Sequence, residues 1–145
     1  MNAKKFLAAD GQAANLLIRL LAGGIFFLEG IKKFLFPLQW GAGRFTHIGI
    51  PAPNFLAPFV GVVEIVCGLL LLLGLLTRLA SIPLIIDISV AIATTKLPIL
   101  LTAGFWPMEA EARTDYSMLL SLVFLLFAGP GPLSLDARLQ RRAPR

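Results

Sequence analysis

The segment from Phe55 to Leu76 sets most of what this chain is able to become. It is apolar almost throughout, long enough for the roughly 20 residues of a membrane-crossing helix, and interrupted by a single carboxylate, Glu64. A charge at that depth is costly unless it faces a protein interior or a polar cavity. The helix must therefore sit in a bundle whose inner face receives Glu64. Gly61, Glu64 and Gly68 are three and four residues apart and share one face. Small residues beside an acid let a neighbouring helix come close, so this face reads as a packing stripe or as a notch for a ligand.

Other stretches repeat the pattern. Of the 145 residues, 57% are hydrophobic and 14% charged, against about 25% charged in soluble domains. The expected fold is all-α: one membrane domain, residues 1–145, built as a bundle of four transmembrane helices at about 15–35, 55–76, 79–101 and 113–128, with a basic tail at 133–145. A cleaved signal peptide competes for the first span, but its apolar core runs only about 7–15 uncharged residues. Here Arg19 and Glu29 lie inside a longer run that ends at Lys32 and Lys33, which favours a retained helix. Pro37, Gly41, Gly43, Gly49, Pro51 and Pro53 make residues 36–54 a loop. Its aromatic residues suit the headgroup level or a fold back over the bundle. Pro83 is placed to kink the third helix and Pro98 to break it. Gly104-Phe105-Trp106-Pro107 reads as an interfacial turn, Met108–Asp115 as solvated first turns of the last helix, and Ser134-Leu135-Asp136 as the opening of a short surface helix.

Short-loop cations set the orientation. With the N-terminus inside, Lys4, Lys5, Arg78, Arg138, Arg141, Arg142 and Arg145 are inner, and Lys32, Lys33, Arg44, Lys96 and Arg113 are outer. The bias favours both termini in the cytoplasm. The tail arginines suit anionic lipid, so the net charge of +5 does not imply nucleic acid. The expected setting is the lipid bilayer of a bacterial cytoplasmic (inner) membrane.

Depth estimates along the helices suggest how the buried ions combine. Arg19 and Asp87 are expected to form a structural ion pair, and Lys96 to pair with Glu29 or Glu64. One acid is then left over, to be protonated, bonded to the hydroxyl of Thr94, Thr95 or Tyr116, or exposed to a polar cavity. Buried pairs also serve merely to fix helix register, and Lys96 has the alternative of snorkelling to the interface. The candidate ligand-binding residues are Glu64, Lys96, Glu29 and Tyr116. Cys67 and His47 are the only residues of their types. One thiol permits no dithiol cycle, and one imidazole permits no histidine-rich metal or bis-histidine haem site. Cys67 reads as a small core residue and His47 as a surface residue. Neither a metal site nor an intrinsic cofactor is expected.

Several of these residues carry a resemblance. Leu16-Leu17-Ile18-Arg19-Leu20 through Gly23 and Phe26 to Glu29-Gly30 and Lys32-Lys33-Phe34, then Gly49-Ile50-Pro51 through Gly61, Glu64 and Gly68 to Leu73-Gly74-Leu75-Leu76-Thr77-Arg78, resemble the DoxX family of small four-helix membrane proteins. Glu111-Ala112-Arg113-Thr114-Asp115-Tyr116 and the ending Gly129-Pro130-Gly131-Pro132-Leu133-Ser134-Leu135-Asp136 are similar to the family's segments as well. The resemblance implies links to a thiosulfate:quinone oxidoreductase subunit and to thiol and oxidative-stress complexes in the membrane. Distant eukaryotic relatives act as chaperones or cargo receptors. The leading expectation is a quinone- or small-molecule-binding subunit that supports thiol or sulfur redox through a soluble or membrane redox partner. A homo-oligomer is the other assembly the chain suggests, since redox chemistry without a carrier or partner subunit would need an oligomer interface. The alternatives are a non-catalytic accessory or assembly protein and a small proton-coupled transporter.

Overall fold

In the computed structural model, residues 11–142 are described, and all their regular structure is helical. Lys4, Lys5 and Arg145 lie outside the described residues. In chain order the helices are α1 (Gly11–Leu35), α2 (Ala42–His47), α3 (Pro53–Leu73) and α4 (Thr77–Ala91). A π-helical turn at Ile92–Lys96 leads into α5 (Leu97–Ala103), followed by α6 (Phe105–Ala128) and α7 (Leu135–Arg142). Three stretches are long and apolar enough to cross a membrane: Ala14–Leu35, Pro53–Leu73 and Thr77–Ala103. The stretch expected as a fourth span, 113–128, lies within α6, whose first half carries Glu109, Glu111, Arg113 and Asp115.

Two local expectations are corrected. Pro98 does not break its helix. It follows the wide π turn directly and stands in the first turn of α5, where the loosened winding relieves the clash a proline ring makes with the carbonyl four residues back. The Gly104–Pro107 turn shrinks to Gly104 alone, whose φ of 91° separates α5 from α6. The loop after α1 does fold back over the bundle, and it includes the short helix α2 with Phe45 buried.

The closest helix contact is α1 on α3, and glycines set its distance. A Cβ on Gly68 would lie 2.7 Å from the Phe27 nitrogen and 2.9 Å from the Gly23 carbonyl oxygen; one on Gly30 would lie 2.7 Å from the Gly61 carbonyl oxygen. The backbones meet where side chains are missing, so dispersion contacts form along both helices without a hydrophobic driving force. Ala22, Phe26 and Leu71 continue this contact into a core completed by Leu84 and Ile88 of α4 and Met118, Leu122 and Leu125 of α6. Leu17, Leu28, Phe55, Val62, Ile86 and Phe127 point outward and stay exposed, as an apolar rim facing lipid must.

The end of the bundle where α3 turns into α4 is tied by Arg19, which is 2% exposed. The expected Arg19–Asp87 ion pair is absent. Arg19 Nε donates to the Leu71 carbonyl (2.9 Å), Nη2 to Leu72 (3.0 Å), and Nη1 to Pro130 (3.0 Å) and Leu133 (2.9 Å). At the end of α3 the Leu71 carbonyl also accepts from the Gly74 amide (3.1 Å), and the guanidinium adds its bonds to Leu71 and Leu72 while fastening the Gly129–Ser134 segment beneath. Asp136 accepts from the amides of Leu76 (2.9 Å) and Thr77 (3.2 Å) and so caps α4 from across the turn. This bonding offsets the left-handed conformation of Leu76, whose φ is 49°. The Ser134 hydroxyl accepts from the Ala137 amide at the start of α7, the surface helix expected there.

Gly68→Ala is expected to separate α1 from α3 and to cost about 1–3 kcal/mol; thermal unfolding in detergent measures it, and an unchanged midpoint would contradict the close approach. Arg19→Leu, which removes four hydrogen bonds to backbone carbonyls, is expected to cost at least about 3 kcal/mol in the same assay.

Candidate functional site

The opposite end of the bundle is hollow. A cavity of about 400 Å³ lies between α1, α3, α4 and α6 under the loop that contains α2. This volume is within the usual range of small-molecule sites. Its apolar wall is made by Ile25, Phe26, Val60, Ile88 and Met118, and its cover by Trp40, Phe45, Ile48 and Ile50. Four acids, Glu29, Glu64, Asp87 and Asp115, and four cations, Lys32, Lys33, Arg44 and Lys96, also line it.

The α1–α3 register explains the deepest pair. With Gly23 against Gly68 and Gly30 against Gly61, Phe27 stands level with Glu64 and Lys33 lies about 9 Å higher along α1. Helical side chains lean toward the N-terminus, so the lysine stem covers that rise. Lys33 Nζ reaches Glu64 Oε2 at 2.5 Å, with Glu64 only 4% exposed. From α4, Asp87 lines the same cavity as this pair.

The remaining ions form a looser tier. Lys32 bonds Glu29 at 2.6 Å and lies 4.0 Å from the centre of the Trp40 ring, while the Arg44 guanidinium lies 5.2 Å from it. Lys96, at the end of the π turn, meets Asp115 at 3.3 Å and Glu111 at 3.9 Å on α6. Among the described residues, neither Arg44 nor Asp87 has an oppositely charged side chain within ion-pair distance.

Of the expected site residues, Glu64, Lys96 and Glu29 all line this cavity, but the pairing differs from expectation: Lys96 bonds neither Glu29 nor Glu64. Tyr116 is exposed and absent from the lining. Thr94 and Thr95 line it, yet their hydroxyls donate to the Val90 and Ala91 carbonyls of their own helix (2.8 and 2.6 Å). Asp87, expected with Arg19, belongs here. Lys33, Arg44, Asp115 and Trp40 were not anticipated at the site. For Lys33 a signal was present: it follows Gly30 by three residues and Glu29 by four, which puts it on their face. Cys67 is half-buried against the core and His47 is exposed on α2. Among the described residues, no group of histidine, cysteine and acidic side chains is arranged to hold a metal ion.

Comparison with known proteins matches residues 14–97 to the DoxX family model. The chain is 55% identical over 145 residues to an uncharacterized membrane protein of Mycobacterium tuberculosis, covering 96% of this chain and 89% of that one. It is 32% identical over 126 residues to a Bacillus subtilis protein named "Putative oxidoreductase CatD", covering 86% of each. It is also 34% identical over 126 residues to an uncharacterized protein of Haemophilus influenzae, covering 82% of this chain and 85% of that one. No solved structure matches the chain.

Lys33→Met leaves the buried Glu64 carboxylate without its cation and is expected to cost about 2 kcal/mol of stability. Adding Glu64→Gln is expected to recover part of that loss, a coupling that a double-mutant cycle of denaturation midpoints measures. Strict additivity would show that the pair does not interact.

Proposed function

The chain belongs to the DoxX family of membrane proteins, and from that premise we propose that it is a four-span subunit of the bacterial inner membrane that binds a quinone in the cavity beneath Trp40. Both termini face the cytoplasm and the cavity opens outward. The count of inner and outer cations supports this orientation, and α6 supplies the fourth span. The observation that carries the function is the cavity itself: an apolar slot whose two ends hold hydrogen-bonding ions that are largely paired with one another. Such a site accepts an uncharged flat ring with an oxygen at each end. Charged ligands would have to compete with the internal ion pairs.

The residues fit that ligand class. Phe26, Ile88 and Met118 offer faces for the ring, and the Glu64–Asp87 floor and the Lys96–Asp115 pair offer polar partners for its oxygens. A bound quinone supplies two-electron redox capacity. Cys67 stands alone and has no second thiol with which to cycle, so electrons come from a redox partner that handles thiols or sulfur compounds. The name of the Bacillus subtilis relative points toward oxidoreductase chemistry in that protein, and the reading here extends that direction to this chain.

A variant carrying Trp106→Phe keeps Trp40 as its only indole. In detergent, its fluorescence is expected to be quenched saturably by decylubiquinone. Val60→Phe, which fills the cavity, is expected to weaken that quenching at least about tenfold. Quenching that never saturates, or that ignores Val60→Phe, would remove the quinone from this site.

A further inference from the structure

The loop that covers the cavity is held in one shape by its own backbone. The Gly41 and Gly43 amides both donate to the Pro37 carbonyl (3.1 and 3.0 Å), and the Phe45 amide donates to the Gly41 carbonyl (3.1 Å). A Cβ on Gly43 would lie on the Leu38 carbonyl oxygen, and one on Gly41 would lie 2.7 Å from the Lys33 carbonyl oxygen. The loop thus packs directly on itself and on the end of α1, and buried Phe45 anchors α2. Arg44, the neighbour of that anchor, therefore has a set place. It is half-buried in the cavity lining, with its guanidinium 5.2 Å from the centre of the Trp40 ring. A guanidinium stays charged and has only donors to offer. Arg19, Arg78 and Arg113 each give theirs to backbone carbonyls. Lys32, on the same indole, is bonded to Glu29. Among the described residues, Arg44 makes neither a side-chain hydrogen bond nor an ion pair. The attraction of the indole face for a cation holds the group without using any of its N–H bonds.

We propose that Arg44 is the binding residue for the ring oxygen at the cover end of a bound quinone, its guanidinium donating a hydrogen bond to that carbonyl while Trp40 holds it in place. The inference rests on the quinone reading of the cavity and adds the group that orients the ring. The lining carries four acids and four cations, so a neutral acceptor takes the free donors of Arg44 and leaves that balance undisturbed. A hydrogen bond from a charged donor is stronger than one between neutral groups. A site built to bond a ligand oxygen also rejects an analogue that lacks it. Arg44 thus brings one carbonyl to the cover and separates a quinone from a plain hydrocarbon ring, which the apolar wall would accept equally well.

Quenching of Trp40 in the full chain carrying Trp106→Phe tests this. Adding Arg44→Leu is expected to weaken the saturable quenching by decylubiquinone at least about tenfold, the loss of one hydrogen bond from a charged donor. Where Arg44→Leu does not fold, Arg44→Gln withdraws the guanidinium and is read the same way. Decylbenzene, which has no ring oxygen, is expected to compete with equal strength in the parent and in the Arg44 variant. Infrared difference spectra of decylubiquinone labelled with ¹³C at one ring carbonyl or the other report the bond itself. In the parent, one carbonyl stretch is expected to lie below its position in detergent alone; at saturating quinone in the Arg44 variant it is expected to return there. An unchanged affinity for decylubiquinone, or a carbonyl band that the substitution does not move, overturns the role of Arg44 and leaves the quinone reading standing. A decylbenzene affinity that falls along with that of the quinone assigns the effect to the shape of the cover and overturns the bond as well. Failure of decylubiquinone to bind the parent overturns the quinone reading, and the Arg44 bond with it.

Discussion

The contact between α1 and α3 sets the geometry from which the rest of the molecule follows. Four glycines let two backbones meet more closely than any side chain would allow, and that meeting fixes a register. The register decides which charges are neighbours: it lowers Lys33 onto Glu64 and places Arg19 below the last turn of α3. In hydrocarbon there is no water to correct a misplaced ion. A slip by one residue would turn the ammonium and the guanidinium off the faces where their partners wait. Packing and electrostatics thus enforce the same alignment, the mutual support expected of a sequence that specifies one structure.

The two ends of the bundle solve the problem of buried charge differently. At the α3–α4 turn, Arg19 spends its donors on neutral backbone carbonyls, and Asp136 caps the amides of the next helix. At that end the backbone groups of the turn are bonded, and the buried Thr77 hydroxyl is the side-chain group left without a partner among the described residues. At the other end, ions line a void and keep some capacity unspent: among the described residues neither Asp87 nor Arg44 has an ion-pair partner, and Arg44 lies over the Trp40 ring. Unspent capacity in an enclosed polar space marks the end where a ligand gains by binding.

Much of this was legible in the sequence because membrane spans are written in composition and length. The α1 and α3 spans, the Gly61–Glu64–Gly68 face, the loop over the bundle and the surface helix after Ser134 needed only periodicity and breakers. The pairing of the ions was not legible in the same way. Opposite charges at similar depth suggested Arg19 with Asp87, but that argument gave the arginine only carboxylates as partners and left out the backbone carbonyls at the end of α3. Asp87 was nonetheless within reach of counting: it stands ten residues after Thr77, as Glu64 stands ten before Gly74, so the two are level in an antiparallel pair. Lys33 was read as the border of a span, because composition alone does not show that a lysine at a helix end turns inward.

The balance of charge in the cavity also limits what the cavity is able to hold. Its lining carries four acids and four cations, and three lysines are committed to carboxylates at 3.3 Å or less. An anionic guest would need to draw a lysine from its acid, and a cationic guest an acid from its lysine. Both exchanges lose a short charge-assisted bond in a setting where such bonds are strong. A neutral guest would disturb neither. The pairing that balances the charge of the lining thus favours an uncharged guest over a charged one.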